Sequence, residues 1–386
     1  MGPATAPLSE PPSSPGRLKA LDVFRGATVA LMILVNNPGD WKTVYAPLLH
    51  APWHGCTPTD LVFPFFLFIV GVAIPFALAP RRVGGDGAAP GLRGKILRRA
   101  AILFGLGMLG TLFPFYTVVL EKVRIPGVLQ RIAIVYLCAA FAYIHLRPKA
   151  RAWLAAGLLV FYWLVMKLAP VPGFGAGDLS PQGNFAFWLD HLLLGQHTWR
   201  GSPGPGDPEG ILSTLPAIVS ALFGIFCGEL LRGELPAGAK LKRLLGWGAT
   251  ATAAGLALSP FFPLNKNLWS PTYVLFTTGL ALFCLAATWY LVDLRRIDFW
   301  ARPFEIFGKN AILAFVGSGL LAKTLLVVCR WQEGDKTVSL WSWLYQNIHA
   351  VALPPYLASL AWALSTLLFW LTILAVLDRK GIYLKV

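Results

Sequence analysis

HAPWHGCTPTDLVFPFFLFIVG, residues 50–71, puts two costly features side by side. Its second half continues through VAIPFALA to residue 79. That apolar run is as long as the ~20 residues an α-helix needs to cross a hydrocarbon core. Its first half holds His50, Trp53, His54, Thr57, Thr59 and Asp60. Titratable groups at the mouth of a membrane helix are expensive to desolvate, so they mark chemistry at the membrane surface rather than packing alone.

The rest of the chain agrees with a membrane reading. Of 386 residues, 56% are hydrophobic and 13% are charged, where a soluble domain carries about 25% charged residues. The expected fold is all-α, a polytopic membrane helix bundle with about ten transmembrane helices. The spans read as 20–37, 60–79, 97–116, 128–146, 152–168, 211–231, 243–261, 272–292, 304–328 and 356–377. Residues 1–16, MGPATAPLSEPPSSPG, are Pro- and Ser-rich and read as a disordered tail. They lack the apolar core of a cleavable signal, so the first span is expected to direct insertion. Residues 17–386 read as one membrane domain. In the long loops, FAFWLDHLLLG and WSWLYQNIH read as pieces lying at the membrane surface.

The net charge of +15 does not point to nucleic acid, because the basic residues form short clusters between apolar runs. Arg81, Arg82, Arg93, Lys95, Arg98 and Arg99 form one cluster, and Lys240, Lys242 and Arg243 another. The loops richer in Lys and Arg belong on the cytoplasmic side, which puts both termini in the cytoplasm and His50 on the outer face. Of the five cysteines, Cys138, Cys227 and Cys284 fall inside spans as small packing residues. Cys56 and Cys329 fall in outer loops, where a disulfide is chemically allowed. No HExxH and no paired Cys/His spacing supports a metal, and no P-loop or GxGxxG supports a nucleotide cofactor of those classes.

Arg25, Arg131, Lys309 and Lys323 remain inside the spans. Such cations face a polar cavity or a partner. Arg25 and Lys309 fall toward the inner mouth, where they suit an anion entering from the cytoplasm; Asp22 three residues before Arg25 offers the alternative of a local pair. An imidazole is the side chain best suited to general-base work near neutral pH, which makes His50 a candidate base. Asp60 is close enough in sequence to fix its tautomer. The alternative is a hydrogen-bonded structural histidine.

These segments resemble the heparan-alpha-glucosaminide N-acetyltransferase family, bacterial members included. The likeness runs through LDVFRG (21–26), LVNNPG (34–39), residues 50–71, RIPGVLQRIAIVY (124–136), DPEGILSTLPAI (207–218), PLNKNLWSPTYVL (263–275) and GKNAI (308–312). The resemblance implies transfer of an acetyl group from cytosolic acetyl-CoA to the amine of a glucosamine-type sugar on the far side of the membrane. It implies that His50 is the active histidine and that Asn36 assists it. The family often has Trp-Asn-Gly where this chain has Trp53-His54-Gly55, which leaves the shares of His50 and His54 open.

On that resemblance, Arg25 and Lys309 are expected to hold the phosphates of acetyl-CoA. Arg131, Gln130 and Lys266 are expected either along the CoA channel, at an acidic sugar neighbour, or as anchors of helix ends. Asp60, Asp207, Glu209, Asn265, Trp53 and Trp269 are expected around the sugar. Direct transfer and an acetyl-histidine intermediate both fit, and direct transfer is preferred because nothing marks His50 as a nucleophile. The competing functions are an amino-sugar transporter and an acyltransferase for a cell-envelope glycan. A homodimer follows from family analogy alone. Richness in Ala, Gly, Pro and Arg points to a GC-rich bacterial genome and hence an inner membrane.

Overall fold

The computed structural model describes residues 18–79, 82–83, 87–88 and 90–384. The tail over residues 1–16 lies outside the described residues, as do Arg17, Arg81 and Lys385. Thirteen helices follow in order: α1 (Lys19–Asn36), α2 (Val62–Leu78), α3 (Leu92–Leu112), α4 (Val128–His145), α5 (Pro148–Leu168), α6 (Phe185–Leu194), α7 (Thr214–Arg232), α8 (Ala237–Leu258), α9 (Pro271–Trp289), α10 (Arg302–Lys309), α11 (Ala311–Lys323), α12 (Leu340–Leu344) and α13 (Pro355–Arg379). Three antiparallel two-stranded hairpins decorate the loops.

Among the described residues, seven helices are long and apolar enough to cross a membrane. The other three expected spans coincide with α1, α3 and α8. Charge lowers the hydropathy of these three: Asp22 and Arg25 sit in α1, four basic residues from Arg93 to Arg99 open α3, and Lys240, Lys242 and Arg243 open α8. The span expected over 304–328 is two helices, broken at Asn310. Asn310 donates to the Ile382 carbonyl at 3.1 Å and accepts from the Leu384 amide at 3.0 Å, which latches the end of the chain against the break.

In lipid, helix association relies on close backbone approach, so small residues collect at interfaces. On α7, Gly224 and Gly228 form a GxxxG pair against α2. A Cβ at Gly224 would stand 2.1 Å from the Phe68 carbonyl oxygen, and one at Gly71 would stand 2.0 Å from that of Ala221. The same device joins α1 to α10, where a Cβ at Gly26 would lie 1.6 Å from the Phe304 oxygen. These contacts bring α2, the helix after the His50 segment, into the centre of the bundle, and bring Arg25 beside Lys309.

Lys323 donates from Nζ to the carbonyls of Gly110 at 2.7 Å and Phe113 at 3.0 Å. It caps the end of α3, where a cation offsets the helix dipole and unpaired carbonyls. All five cysteines, Cys56 and Cys329 included, are free thiols.

Candidate active site

The turn before α2 builds the site from its backbone upward. Thr57 and Asp60 form a reciprocal cap: the Thr57 amide and hydroxyl reach Asp60 Oδ2 at 3.0 and 3.1 Å. The Ala51 amide donates to the same oxygen at 3.0 Å. Asp60 is thereby fixed with its other oxygen free for a ring, and His50 Nδ1 lies 2.7 Å from Oδ1. A carboxylate accepting from Nδ1–H leaves Nε2 as the lone-pair nitrogen, the tautomer a general base requires. Asp60 is 1% exposed, while the His50 side chain is 48% exposed. The carboxylate is buried behind a ring that faces open space.

That open space is a cavity of about 640 Å³. His50, Trp53, Asp60, Asn36, Glu209 and Lys266 are among its lining residues. Lys266 Nζ stands 3.1 Å from His50 Nδ1 and 3.2 Å from Nε2. Burial pushes the Lys266 ammonium below its ordinary pKa, against the pull of Asp60. Trp53 is held edge-on by Phe187 of α6, and its Nε1 donates to the Leu179 carbonyl at 2.9 Å. The surface piece 185–194 therefore serves as the wall behind Trp53, although Leu192 and Leu193 of the same helix remain exposed.

A second cavity of about 620 Å³ is lined by Asp22, Arg25, Arg99, Lys309 and Tyr136. Leu18 and Leu384, at the two described ends of the chain, line it together. Arg25 pairs with Asp22 at 3.2 Å, and Lys309 pairs with Glu305 at 2.8 Å and Asp378 at 3.4 Å. Arg99 differs from both. Its guanidinium lies 4.8 Å from the Tyr136 ring centroid, and its buried Nε has no hydrogen-bond partner among the described residues. Phe66, Ile132 and Phe315 line both cavities. The two spaces meet at this apolar septum.

The expected site residues divide into those that reach a cavity and those that organise its walls. His50, Asn36, Asp60, Trp53, Glu209 and Lys266 share the first cavity, and Arg25 and Lys309 the second. His54 lines neither; its Nδ1 sits 3.3 Å from Asn265 Nδ2, and burial lowers its pKa. Asn265 is fully buried, accepting from the Leu268 amide at 2.9 Å while its own amide donates to Ser270 Oγ at 3.0 Å. It shapes the turn that presents Lys266. Trp269, at a left-handed φ of 49°, is buried against Phe63 and Tyr273.

Asp207 is fully buried and saturated. It accepts from Arg124 Nε at 2.8 Å and Nη2 at 2.7 Å, and from the amides of Trp199 at 2.7 Å and Glu209 at 2.9 Å. Burial opposes its ionisation, but Arg124 outweighs burial and holds the carboxyl below its usual range. Asp190 behind it accepts only from backbone amides, and burial pushes it up to about 6. Arg131 is 1% exposed and stacks 5.2 Å from the Trp269 centroid, bonding Ser213 and the Gly210 carbonyl. Gln130 wedges between α3 and α4, its Nε2 3.6 Å from Met108 Sδ. Neither Gln130 nor Arg131 is among the lining residues of the two cavities.

Three features escaped the sequence reading. Arg99 reads as a topology signal, yet it shares a face with Leu92, Ile96 and Leu103, all buried; a cation on an apolar helix stripe was the available clue. Arg124 binds both Asp207 and Glu209. The chain beside it is pinned by His197, whose Nδ1 meets the Val123 carbonyl at 2.8 Å. The septum had no sequence signal, because Phe66, Ile132 and Phe315 look like any other span residues.

A family model described as heparan-alpha-glucosaminide N-acetyltransferase, catalytic, matches residues 17–255. The heparan-alpha-glucosaminide N-acetyltransferase of Homo sapiens is 32% identical over 440 residues, covering 100% of this chain and 62% of the relative. That of Mus musculus is 30% identical over 427 residues, covering 97% of this chain and 61% of the relative. The chain thus spans about three-fifths of the length of these relatives. With motifs, family model and near-complete coverage in agreement, this chain belongs to the heparan-alpha-glucosaminide N-acetyltransferase family.

Proposed function

We propose that the protein is a transmembrane N-acetyltransferase. It takes the acetyl group of cytosolic acetyl-CoA and places it on the amine of a glucosamine-type sugar at the extracytoplasmic face. The observation that carries the reading is the pair of cavities: a cationic one and a histidine one, sharing only the thin apolar septum of Phe66, Ile132 and Phe315.

Arg25, Arg99 and Lys309 suit the phosphates of the donor, because guanidinium and ammonium groups form charge-assisted bonds to phosphate oxygens. The pantetheine arm then crosses the septum and presents the thioester in the His50 cavity. His50 takes a proton from the sugar amine, and Asp60 holds the ring in the tautomer that can accept it. Asn36, which lines the same cavity, donates to the oxygen of the thioester carbonyl as negative charge develops there. Trp53 and Glu209 contact the sugar. Leu18 and Leu384 lie together at the cationic cavity, which supports an even number of passes with both termini on the cytoplasmic side. The proposed setting is a bacterial inner membrane crossed ten times.

Proteoliposomes test the reading. With labelled acetyl-CoA inside and glucosamine outside, N-acetylated sugar is expected outside and free CoA inside, and His50→Ala vesicles are expected to form neither. Accumulation of unmodified sugar without acetyl-CoA would establish transport instead. Product from an envelope glycan but not from glucosamine would change the acceptor and leave the chemistry.

A further inference from the structure

Resting on that reading, we infer that Lys266 is the catalytic acid of the transfer: its ammonium gives a proton to the CoA sulfur as the thioester breaks and recovers one from His50. The sequence offered Lys266 along the CoA channel, at an acidic sugar neighbour or as an anchor of a helix end, and its position suits a further role. Nζ lies 3.1 and 3.2 Å from the two ring nitrogens of His50 and 3.8 Å from Asp60 Oδ1. Its backbone is fixed by the Asn265–Ser270 turn, in which the Trp269 amide donates to the Lys266 carbonyl at 3.0 Å and the Ser270 amide to that of Asn265 at 3.0 Å. A rigid turn thus aims one long side chain across the cavity at the base.

The need for an acid follows from the route of the donor. After cleavage the sulfur returns past the apolar side chains of Phe66, Ile132 and Phe315, where an unpaired thiolate charge is costly. A proton delivered during C–S cleavage avoids that charge. The sugar nitrogen attacks the carbonyl carbon, the N–C bond forms and the C–S bond breaks. The amine proton passes to His50 Nε2, and a Lys266 proton passes to sulfur. His50 then returns its proton to the Lys266 amine through the contact already present. The products are the N-acetyl sugar and CoA thiol, with His50 and Lys266 restored.

Burial makes Lys266 a more willing donor than a free lysine. The groups facing it are Asp60 and Glu209, which favour its charge, Arg131, which opposes it, and Cys56, whose thiol burial pushes up to about 12 and so keeps neutral. His50 is the one imidazole in contact with it among the described residues.

Two substitutions and two donors test the assignment. Lys266→Arg keeps the charge but cannot release a proton, and Lys266→Met keeps neither. Each is assayed with acetyl-CoA and with the acetyl thioester of 4-nitrothiophenol, whose thiolate leaves without protonation. With acetyl-CoA, kcat is expected to fall by ~10²–10⁴-fold in both variants, the usual worth of a positioned acid, with KM for acetyl-CoA unchanged. With the activated thioester both are expected to retain the wild-type rate. The alkaline fall in wild-type kcat is expected to vanish in Lys266→Met. Wild-type kcat in Lys266→Arg with acetyl-CoA, or equal losses with both donors, overturns the inference while leaving the proposed function intact. A wild-type protein that transfers no acetyl group overturns both.

Discussion

The two cavities are nearly equal in volume and opposite in construction. The His50 cavity takes its chemistry from loops. His50, Asp60, Lys266 and Glu209 come from segments pinned by capping turns and by the Arg124–Asp207 cluster. Both signs of charge meet there, as proton transfer requires. The Arg25 cavity takes its chemistry from helices: α1 supplies Arg25, α3 supplies Arg99 and α10 supplies Lys309. Among its lining residues three are cationic and one, Asp22, is anionic, a balance that suits an anion. Loops fixed by short-range hydrogen bonds hold a reacting geometry, whereas helices held by glycine contacts hold a charged basin. The proposed function puts rate at one end of the bundle and donor affinity at the other.

The sharpest way to break that division is His50→Ala. Loss of a positioned base is expected to cost ~10²–10⁴-fold in turnover, with the fold kept because Asp60 retains its donors from Ala51 and Thr57. His54→Ala, outside both cavities, is expected to keep turnover near wild type. Equal losses in a radiolabel transfer assay would erase the distinction between the two histidines.

Arg25→Ala and Arg99→Ala probe the other end. Each removes one charge-assisted contact worth about 1.5–3 kcal/mol, so KM for acetyl-CoA is expected to rise by roughly ten-fold or more while kcat holds. Arg99→Ala is expected to give the cleaner effect, since it leaves no carboxylate behind as Arg25→Ala leaves Asp22. A fall in kcat with KM unchanged would contradict the assignment.

Gly71→Ala tests the scaffold common to both. Its Cβ would meet the Ala221 oxygen, and overpacking of this kind costs about 1–3 kcal/mol. A lower melting temperature in detergent is expected, with both kinetic constants disturbed because α2 lies beneath both cavities.

The smallest effect concerns acid. Asp207 has a depressed folded pKa, so its contribution to stability is present above its unfolded value of about 3.9 and is lost as pH falls through the lower folded value. Below pH about 4, release of the loop that carries Trp199 is expected as a change in tryptophan emission. In Asp207→Asn that acid transition is expected to be absent.

Much of this was legible in the chain. The apolar runs gave the helices and their order, since a bilayer demands about twenty apolar residues whatever their neighbours. The His50–Asp60 pair was legible because the partners stand ten residues apart and one capping turn joins them. Contacts between distant segments were not. His50 meets Lys266 from 216 residues away, and Asp207 is consumed by Arg124 from 83 residues away. Asp207 looks as available as Glu209 in sequence, yet one is sealed and the other lines the cavity.

By itself, then, the sequence determined a multi-helix membrane protein, its family, and a histidine braced by a carboxylate. Hydropathy and local hydrogen bonding act over a few turns of chain and are written there directly. Only the tertiary structure decided which cations face open space, that Lys266 stands at the imidazole, and that two cavities meet at three apolar side chains. Those outcomes depend on how helices pack, and packing is set by glycine contacts between segments that no local pattern relates.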